Sequence, residues 1–223
     1  MSHLPVDFVF DYESIGPFPK GKLAELSYVP FVDDPYDPPT FQELIAKGRK
    51  YKFDIRKQPE RIKDEKTIEW WKQQSKEAQR VLFPSDIDMD LYEGHRQFFA
   101  DLAADGVSRW QSYDYTRGPE FDRSMLTDVV RTMTGKLDTF EDMPTVFWNS
   151  RDVRTAIENR LLTRGVTTCP LRKGMLDGFI QHDSIHDCAK DALMLIYAKR
   201  YALGLEEPPS LEETDENSIG KKR

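Results

Sequence analysis

Cysteine is scarce in this chain: Cys169 and Cys188 are the whole complement among 223 residues. Two thiols make no disulfide framework, and their neighbours suit small buried side chains in a reducing compartment. Long apolar runs are missing as well, and no stretch approaches the ~20 residues that a membrane-crossing helix needs. The amino-terminal segment has no basic stretch followed by an apolar core, so a cytosolic protein is expected. Positive charge is in deficit. With 32 basic and 39 acidic residues the net charge is −7, and such a chain does not coat a long duplex by positive potential alone. Nucleic acid is not thereby excluded. Between Leu205 and Arg223 stand six acids (Glu206, Glu207, Glu212, Glu213, Asp215, Glu216) and three bases, so this segment carries −3 and the rest −4. Two bound divalent cations would cancel that remainder.

Repeats and linkers are also absent. The expected organisation is one domain over 1–205, followed by a polar acidic tail over 206–223 that is expected to be poorly ordered. Within the domain, strand and helix signals alternate. PVDFVFD and LAELSYVPFV read as two neighbouring strands joined by the Gly/Pro-rich SIGPFPKGK. A short amphipathic FQELIAKG and a half-exposed strand RKYKFDI follow. Asp64 opens a helix over DEKTIEWWKQQSKEA, and Ser85 or Asp86 opens a longer one through DMDLYEGHRQFFADLAA. SRWQSYDY reads as a strand and FDRSMLTDVVRTM as the helix behind it. NSRDVRTAIENRLLT and DSIHDCAKDALMLIYAKRYALG are the last helices, the latter stopping at Gly204. This order predicts an α/β fold, a mixed sheet with helices on its faces, and such sheets carry their sites at strand ends.

The first strand ends in such a site signal. In VDFVFDYES, Asp11 and Glu13 are one residue apart, so they project from one side while Tyr12 faces the other. Two acids this close repel unless a positive group stands between them, and a hard divalent cation with oxygen ligands fits. Taken alone, D-x-E reads more simply as the start of a solvated loop. A second signal is FIQHDSIHDCAKD, where His182 and Asp187 are separated by about 500° of helical rotation. A turn at His182 with a helix beginning near Ser184 lets the two side chains converge, although Ser184 to Asp187 also fits a capping box. Ile185, Cys188, Ala189, Ala192 and Ile196 form the stripe that seats this helix. The third signal is Asp122 in RGPEFDRSML, which in isolation is an acid in a helix's first turn.

The order of these pieces, D-x-E on the first strand, F-D-x-x-x-L mid-chain and H-x-x-x-x-D on the last helix, resembles the histidine-containing branch of the DEDD 3′-to-5′ exonucleases. Ribonuclease T, oligoribonuclease and polymerase proofreading subunits belong there. The segments IEWWKQQSKEA, RGPEFD, FWNSRDVRT, TTCPLRKGMLDGF and HDSIHDCAKD resemble the exonuclease A proteins of tailed phages through nearly the whole chain. The first motif departs from the commoner D-x-E-T only at Ser14.

The resemblance implies a ribonuclease-H-like fold with a five-stranded mixed sheet. It implies Asp11, Glu13, Asp122 and Asp187 as ligands of two Mg2+ or Mn2+ ions, with Asp11 shared, and His182 as the base that deprotonates the attacking water. Two ions about 3.5 to 4 Å apart serve both the nucleophile and the leaving oxygen, and an ordinary imidazole titrates near pH 6.5, so its neutral form is available. The resemblance implies the loop Ser14-Ile15-Gly16 at the 3′-terminal nucleotide; Phe121 and His186 are further candidates for substrate binding, and His186 competes with His182 for the role of base. The expected partner is a single-stranded DNA 3′ end in the cytoplasm of an infected bacterium. A 3′ exoribonuclease is the alternative, and a binding module without activity a more distant one. Trp70 and Trp71 are candidates for base stacking or burial. The bases Arg49, Lys50, Lys52, Arg56, Lys57, Arg61 and Lys63 suit a strand path or a guarded sheet edge equally.

Overall fold

A computed structural model describes residues 4–219. Its sheet has the order β3-β2-β1-β4-β5. Strand β1 (Val6–Ser14) pairs antiparallel with β2 (Leu23–Val32), and β2 pairs antiparallel with β3 (Arg49–Lys52). Strand β4 (Asp114–Thr116) runs parallel to β1, and β5 (Ser150–Asp152) parallel to β4. The predicted five-stranded mixed sheet is present.

Alternation along β1 decides which helices cover which face. Phe8, Phe10 and Tyr12 enter one cluster with Phe98 and Leu102 of α3 (Leu91–Ala104) and with Met125, Leu126, Val129 and Val130 of α4 (Asp122–Thr134). Val9 enters the opposite cluster with residues of α1 (Phe41–Lys47), α5 (Val153–Leu161) and α6 (Ser184–Ala202). Strand β2 is buried along all but its last residue, as befits a strand covered on both faces. Helix α2 (Glu65–Trp71) closes a third, smaller cluster, in which Ile15 and Trp71 pack with Ala78 and Val81.

Several boundaries differ from the sequence expectation, each for a local reason. The long helix opens at Asp90, whose carboxylate accepts from the Tyr92 and Glu93 amides; Asp88 instead caps its own turn by accepting from Ser85 N and Oγ. Helix α2 stops at Trp71, and the Gln79 amide then donates to the Lys72 and Gln74 carbonyls beyond it. SRWQSYDY shortens to a strand at its end because Ser108 and Ser112 close a turn on each other. In NSRDVRTAIENRLLT the first residues are strand, and Asp152 caps α5 by accepting from Thr155 N. The last helix begins and ends where the pattern placed it, with Gly204 at φ +66° behind it.

Residues 206–219, read from sequence as a poorly ordered tail, lie against the body. Leu171 accepts from Asp215 N and donates to Ser218 Oγ, and Lys173 N donates to Glu213 O. Arg172 pairs with Glu206 at 3.1 Å and Glu213 at 3.6 Å, and Arg200 pairs with Glu206 at 3.2 Å. Arg172 and Arg200 thus offset Glu206 and Glu213, two of the six acids that suggested a solvated tail. Positions 220–223 of that tail lie outside the described residues. Both cysteines are buried and free. Among the described residues no helix is long and apolar enough to cross a membrane.

Candidate active site

Strand β1 presents its acids toward α6. Tyr12, facing away, donates its hydroxyl to His95 Nε2 at 2.5 Å, while His95 Nδ1 donates to the Leu91 carbonyl at 2.6 Å. Burial pushes the His95 pKa down to about 4, and His95 is a satisfied core imidazole. On the other side, Asp11, Glu13 and Asp187 each offer a carboxylate oxygen within 4.8 Å of the others. They line a cleft of about 360 Å3 that also meets Arg117, Phe121, His182, Lys190 and Asp191.

Asp187 reaches β1 because the chain turns sharply before α6. His182 adopts φ +61°, a left-handed conformation that a Cβ disfavours. Its amide donates to Asp187 Oδ2 at 3.0 Å. Asp183 is the N-cap, accepting from Ile185 N at 3.3 Å. The capping box on Ser184 does not form: Ser184 is buried and donates its hydroxyl to Glu25 Oε1 at 2.5 Å. The turn removes the angular separation that one continuous helix would have imposed on His182 and Asp187.

Asp122 arrives from the other layer. As the first residue of α4 it accepts, through Oδ1, the Tyr12 amide at 3.0 Å, so the helix start is docked between the two acids of β1. Burial raises its pKa to about 7, against the lowering effect of that amide. Asp11 and Glu13 are raised well above the ordinary carboxylate range. Burial is the larger cause for both; Asp122 and Asp187 add to it at Asp11, and Asp11 and Asp187 at Glu13. A divalent cation among these oxygens would reverse that balance, and an all-oxygen donor set suits a hard cation.

Four further expectations land differently. Ser14 spends its hydroxyl on the loop itself, donating to Gly16 O at 2.6 Å and accepting from Gly16 N at 3.2 Å. Ile15 is buried in the third cluster. Gly16 is needed because a Cβ would collide with the Ile62 carbonyl, so the close approach is to this chain's own backbone. His186 is packed against Phe41 and Phe179, and its Nδ1 accepts from Ile180 N at 3.0 Å; the fold does not bring it to the cleft. Phe121 does line the cleft, with Phe18 edge-on at 5.8 Å.

The basic cluster is locally neutralised. Arg49 pairs with Asp105 at 3.0 Å, Lys50 with Asp183 at 2.5 Å and Glu25 at 3.4 Å, and Lys52 with Asp88 at 3.4 Å. Arg56 and Lys57 share Asp54, Arg61 meets Asp128 at 3.1 Å and Lys63 meets Glu65 at 3.7 Å. Trp71 is buried and Trp70 is 43% exposed.

Three groups in the cleft, Asp191, Arg117 and Lys190, were not singled out in the sequence. Asp191 lies one turn beyond Asp187, an i, i+4 relation that puts both on one face. Arg117 clamps it, with Nε at 2.9 Å from Oδ2 and Nη2 at 2.6 Å from Oδ1. Lys190 Nζ donates to Asp187 Oδ1 at 2.8 Å. The D-x-x-x-D spacing was visible in sequence; its half-buried arginine partner, from the end of β4, was not.

A mixed five-stranded sheet with carboxylates converging at the end of its central strand is the framework of ribonuclease-H-like exonucleases. The model of the 3'-5' exoribonuclease Rv2179c-like domain matches residues 6–197. The chain belongs to that family. An exodeoxyribonuclease of Enterobacteria phage T4 is 45% identical over 225 residues, covering 97% of this chain and 99% of the relative. Among solved structures, E. coli exonuclease I bound to a 5cy-dT13 oligonucleotide superposes with a TM-score of 0.53 at 11% identity, over 91% of this chain and 41% of that one. Its zinc-bound complex with single-stranded DNA gives 0.51, also at 11% identity over 91% and 41%. Cell-death related nuclease 4 gives 0.52 at 11% identity, over 87% of this chain and 63% of that one. The chain thus spans about two fifths of exonuclease I, and these likenesses establish the fold. The expected histidine-containing DEDD pattern and exonuclease fold agree with the matches.

Proposed function

We propose that this chain removes mononucleotides from the 3′ end of single-stranded DNA by metal-dependent hydrolysis in the cytoplasm of an infected bacterium. The observation that carries the reading is the convergence of Asp11, Glu13 and Asp187 oxygens within 4.8 Å in a cleft that His182 also lines. Asp122, buried at the start of α4, adds a fourth acid. Two Mg2+ or Mn2+ ions held by these four carboxylates would supply Lewis acidity at the phosphate and relief for the leaving oxygen's charge. His182 takes one proton from the attacking water onto its imidazole. The water oxygen bonds to phosphorus as the phosphorus–O3′ bond breaks, so the released nucleotide carries a 5′-phosphate; the departing O3′ takes a proton from solvent and His182 returns its proton to solvent. Phe121 lines the same cleft and would give the terminal nucleotide an apolar wall.

DNA is favoured by the phage T4 relative, named an exodeoxyribonuclease. A second reading, a 3′ exoribonuclease, is favoured by the description of the matching family model. The two differ in whether the pocket tolerates or requires the 2′-hydroxyl. A time course on 5′-labelled DNA and RNA strands of one sequence, with Mg2+, Mn2+ or chelator and alongside Asp11→Ala, separates them. The expected result is a ladder shortening from the 3′ end on DNA, abolished by chelator and by the substitution. Faster shortening of RNA transfers the assignment to the second reading, and no shortening of either removes both.

A further inference from the structure

Helix α2 contributes none of the acids, yet it meets the site at two points. Asp64, its N-cap, donates its amide to Ile15 O at 2.9 Å, and Trp71 Nε1 donates to Ser14 O at 2.9 Å. Both bonds fasten α2 to the chain that leaves Glu13. Consecutive helical residues diverge by about 100°, so with Trp71 turned inward Trp70 turns out. What Trp70 meets there is His182. Their ring centroids are 5.0 Å apart with an interplanar angle of 75°, and Trp71 lies 6.2 Å from the same imidazole at 76°. The two indoles are themselves edge-to-face at 5.0 Å. These separations lie within the range of favourable edge-to-face aromatic contacts.

This corner constrains a residue that needs constraint. His182 sits in a turn with φ +61°, and its amide is committed to Asp187 Oδ2. The backbone there is held by Asp187, while the rotation of the imidazole is set by what surrounds the ring. An aromatic that served only to receive a nucleobase would not need to stand against the histidine.

We propose that Trp70 is a positioning residue that holds the His182 imidazole in the orientation from which it takes the proton. The proposal rests on the reading of His182 as the base. A poorly held imidazole reaches its working orientation less often, so the loss falls on the chemical step while affinity for the strand is preserved. A base-stacking tryptophan has the opposite signature, in KM.

The test uses the full chain with 5′-labelled single-stranded DNA, comparing wild type, Trp70→Ala, Trp70→Phe and His182→Ala. Trp70→Ala is expected to lower kcat about tenfold with KM within about twofold, and Trp70→Phe to restore most of kcat. In the NMR spectrum the His182 imidazole resonances are expected to broaden or split in Trp70→Ala and to stay single in Trp70→Phe. Thermal melts confirm that each variant folds, and Trp70→Phe keeps the comparison open should the alanine variant unfold. A raised KM at unchanged kcat, or wild-type values of both while His182→Ala is inactive, overturns the positioning role and leaves the base assignment standing. Wild-type turnover in His182→Ala overturns the base assignment itself.

Discussion

His182 donates its backbone amide to Asp187 Oδ2 at 3.0 Å while adopting φ +61°. The bond links the turn to the first turn of α6, so the proposed base and a proposed metal ligand are held by one local structure. Glycine adopts this φ without cost, so His182→Gly deletes the imidazole and leaves the turn. Turnover of that variant is expected to fall roughly 10²- to 10⁴-fold, with oligonucleotide affinity close to wild type. Single-turnover kinetics beside a binding titration check it; a parallel loss of affinity would mean that the turn, and not the imidazole, matters.

Asp11 is half-buried among other acids, and its ordinary ionisation is opposed first by desolvation and then by Asp122 and Asp187. Asp11→Asn keeps the shape and removes one repelling charge. In chelator the melting temperature is expected to rise by about 2–4 °C per kcal/mol of relieved repulsion. Addition of Mn2+ is expected to stabilise wild type and to lose most of that effect in the variant. Melts with and without Mn2+ decide, and an equal metal shift in both proteins would remove Asp11 from the ligand set.

Asp7, at the far end of the same strand, is buried, accepts the Tyr113 amide at 2.7 Å and faces Asp33, Arg160 and Lys199. Burial raises its pKa to about 7. An acid whose folded pKa lies above its unfolded value binds more protons when folded, so its contribution to stability is complete below about pH 4 and is lost as pH rises through 7. Asp7→Asn keeps the acceptor for Tyr113 and is expected to flatten the fall in stability between pH 5 and 8, a difference on the order of 2–4 kcal/mol. Urea denaturation across that range measures the slope.

Lys50 and Lys52 are committed to Asp183, Glu25 and Asp88. The double alanine variant is expected to leave the salt dependence of single-strand binding unchanged, with a slope shift well under the ~1.4 that two lost phosphate contacts would cause. Stability is expected to drop by roughly 1–3 kcal/mol, because Glu25 and Asp88 remain buried without their cations. A clear change in slope would return this cluster to the strand path.

Legibility differed between the parts of the site. Asp11 and Glu13 could be placed on one face from sequence because side chains alternate along any strand, and the observed neighbours of Tyr12 and Val9 follow that rule. The turn at His182 and the start of α6 lie where the sequence placed them, although Asp183 rather than a capping box at Ser184 caps the helix. Ser14, Ile15 and Gly16 were placed correctly in sequence and differently in space. Their contacts, Gly16's own backbone for Ser14, the Trp71 cluster for Ile15 and the Ile62 carbonyl for Gly16, involve segments that no local pattern announces.

The sequence by itself determined the strand and helix order, the face on which the two acids of β1 stand, and the residue types available for the chemistry, because each follows from periodicity or from a few adjacent side chains. Tertiary structure alone decided that seven basic residues would be spent on carboxylates, that the acidic tail would find Arg172 and Arg200, and that Arg117 would clamp Asp191. It alone brought Trp70 to His182. Those outcomes depend on distances between residues far apart in the chain, and an ion pair or ring contact acts only over the few ångströms that folding creates.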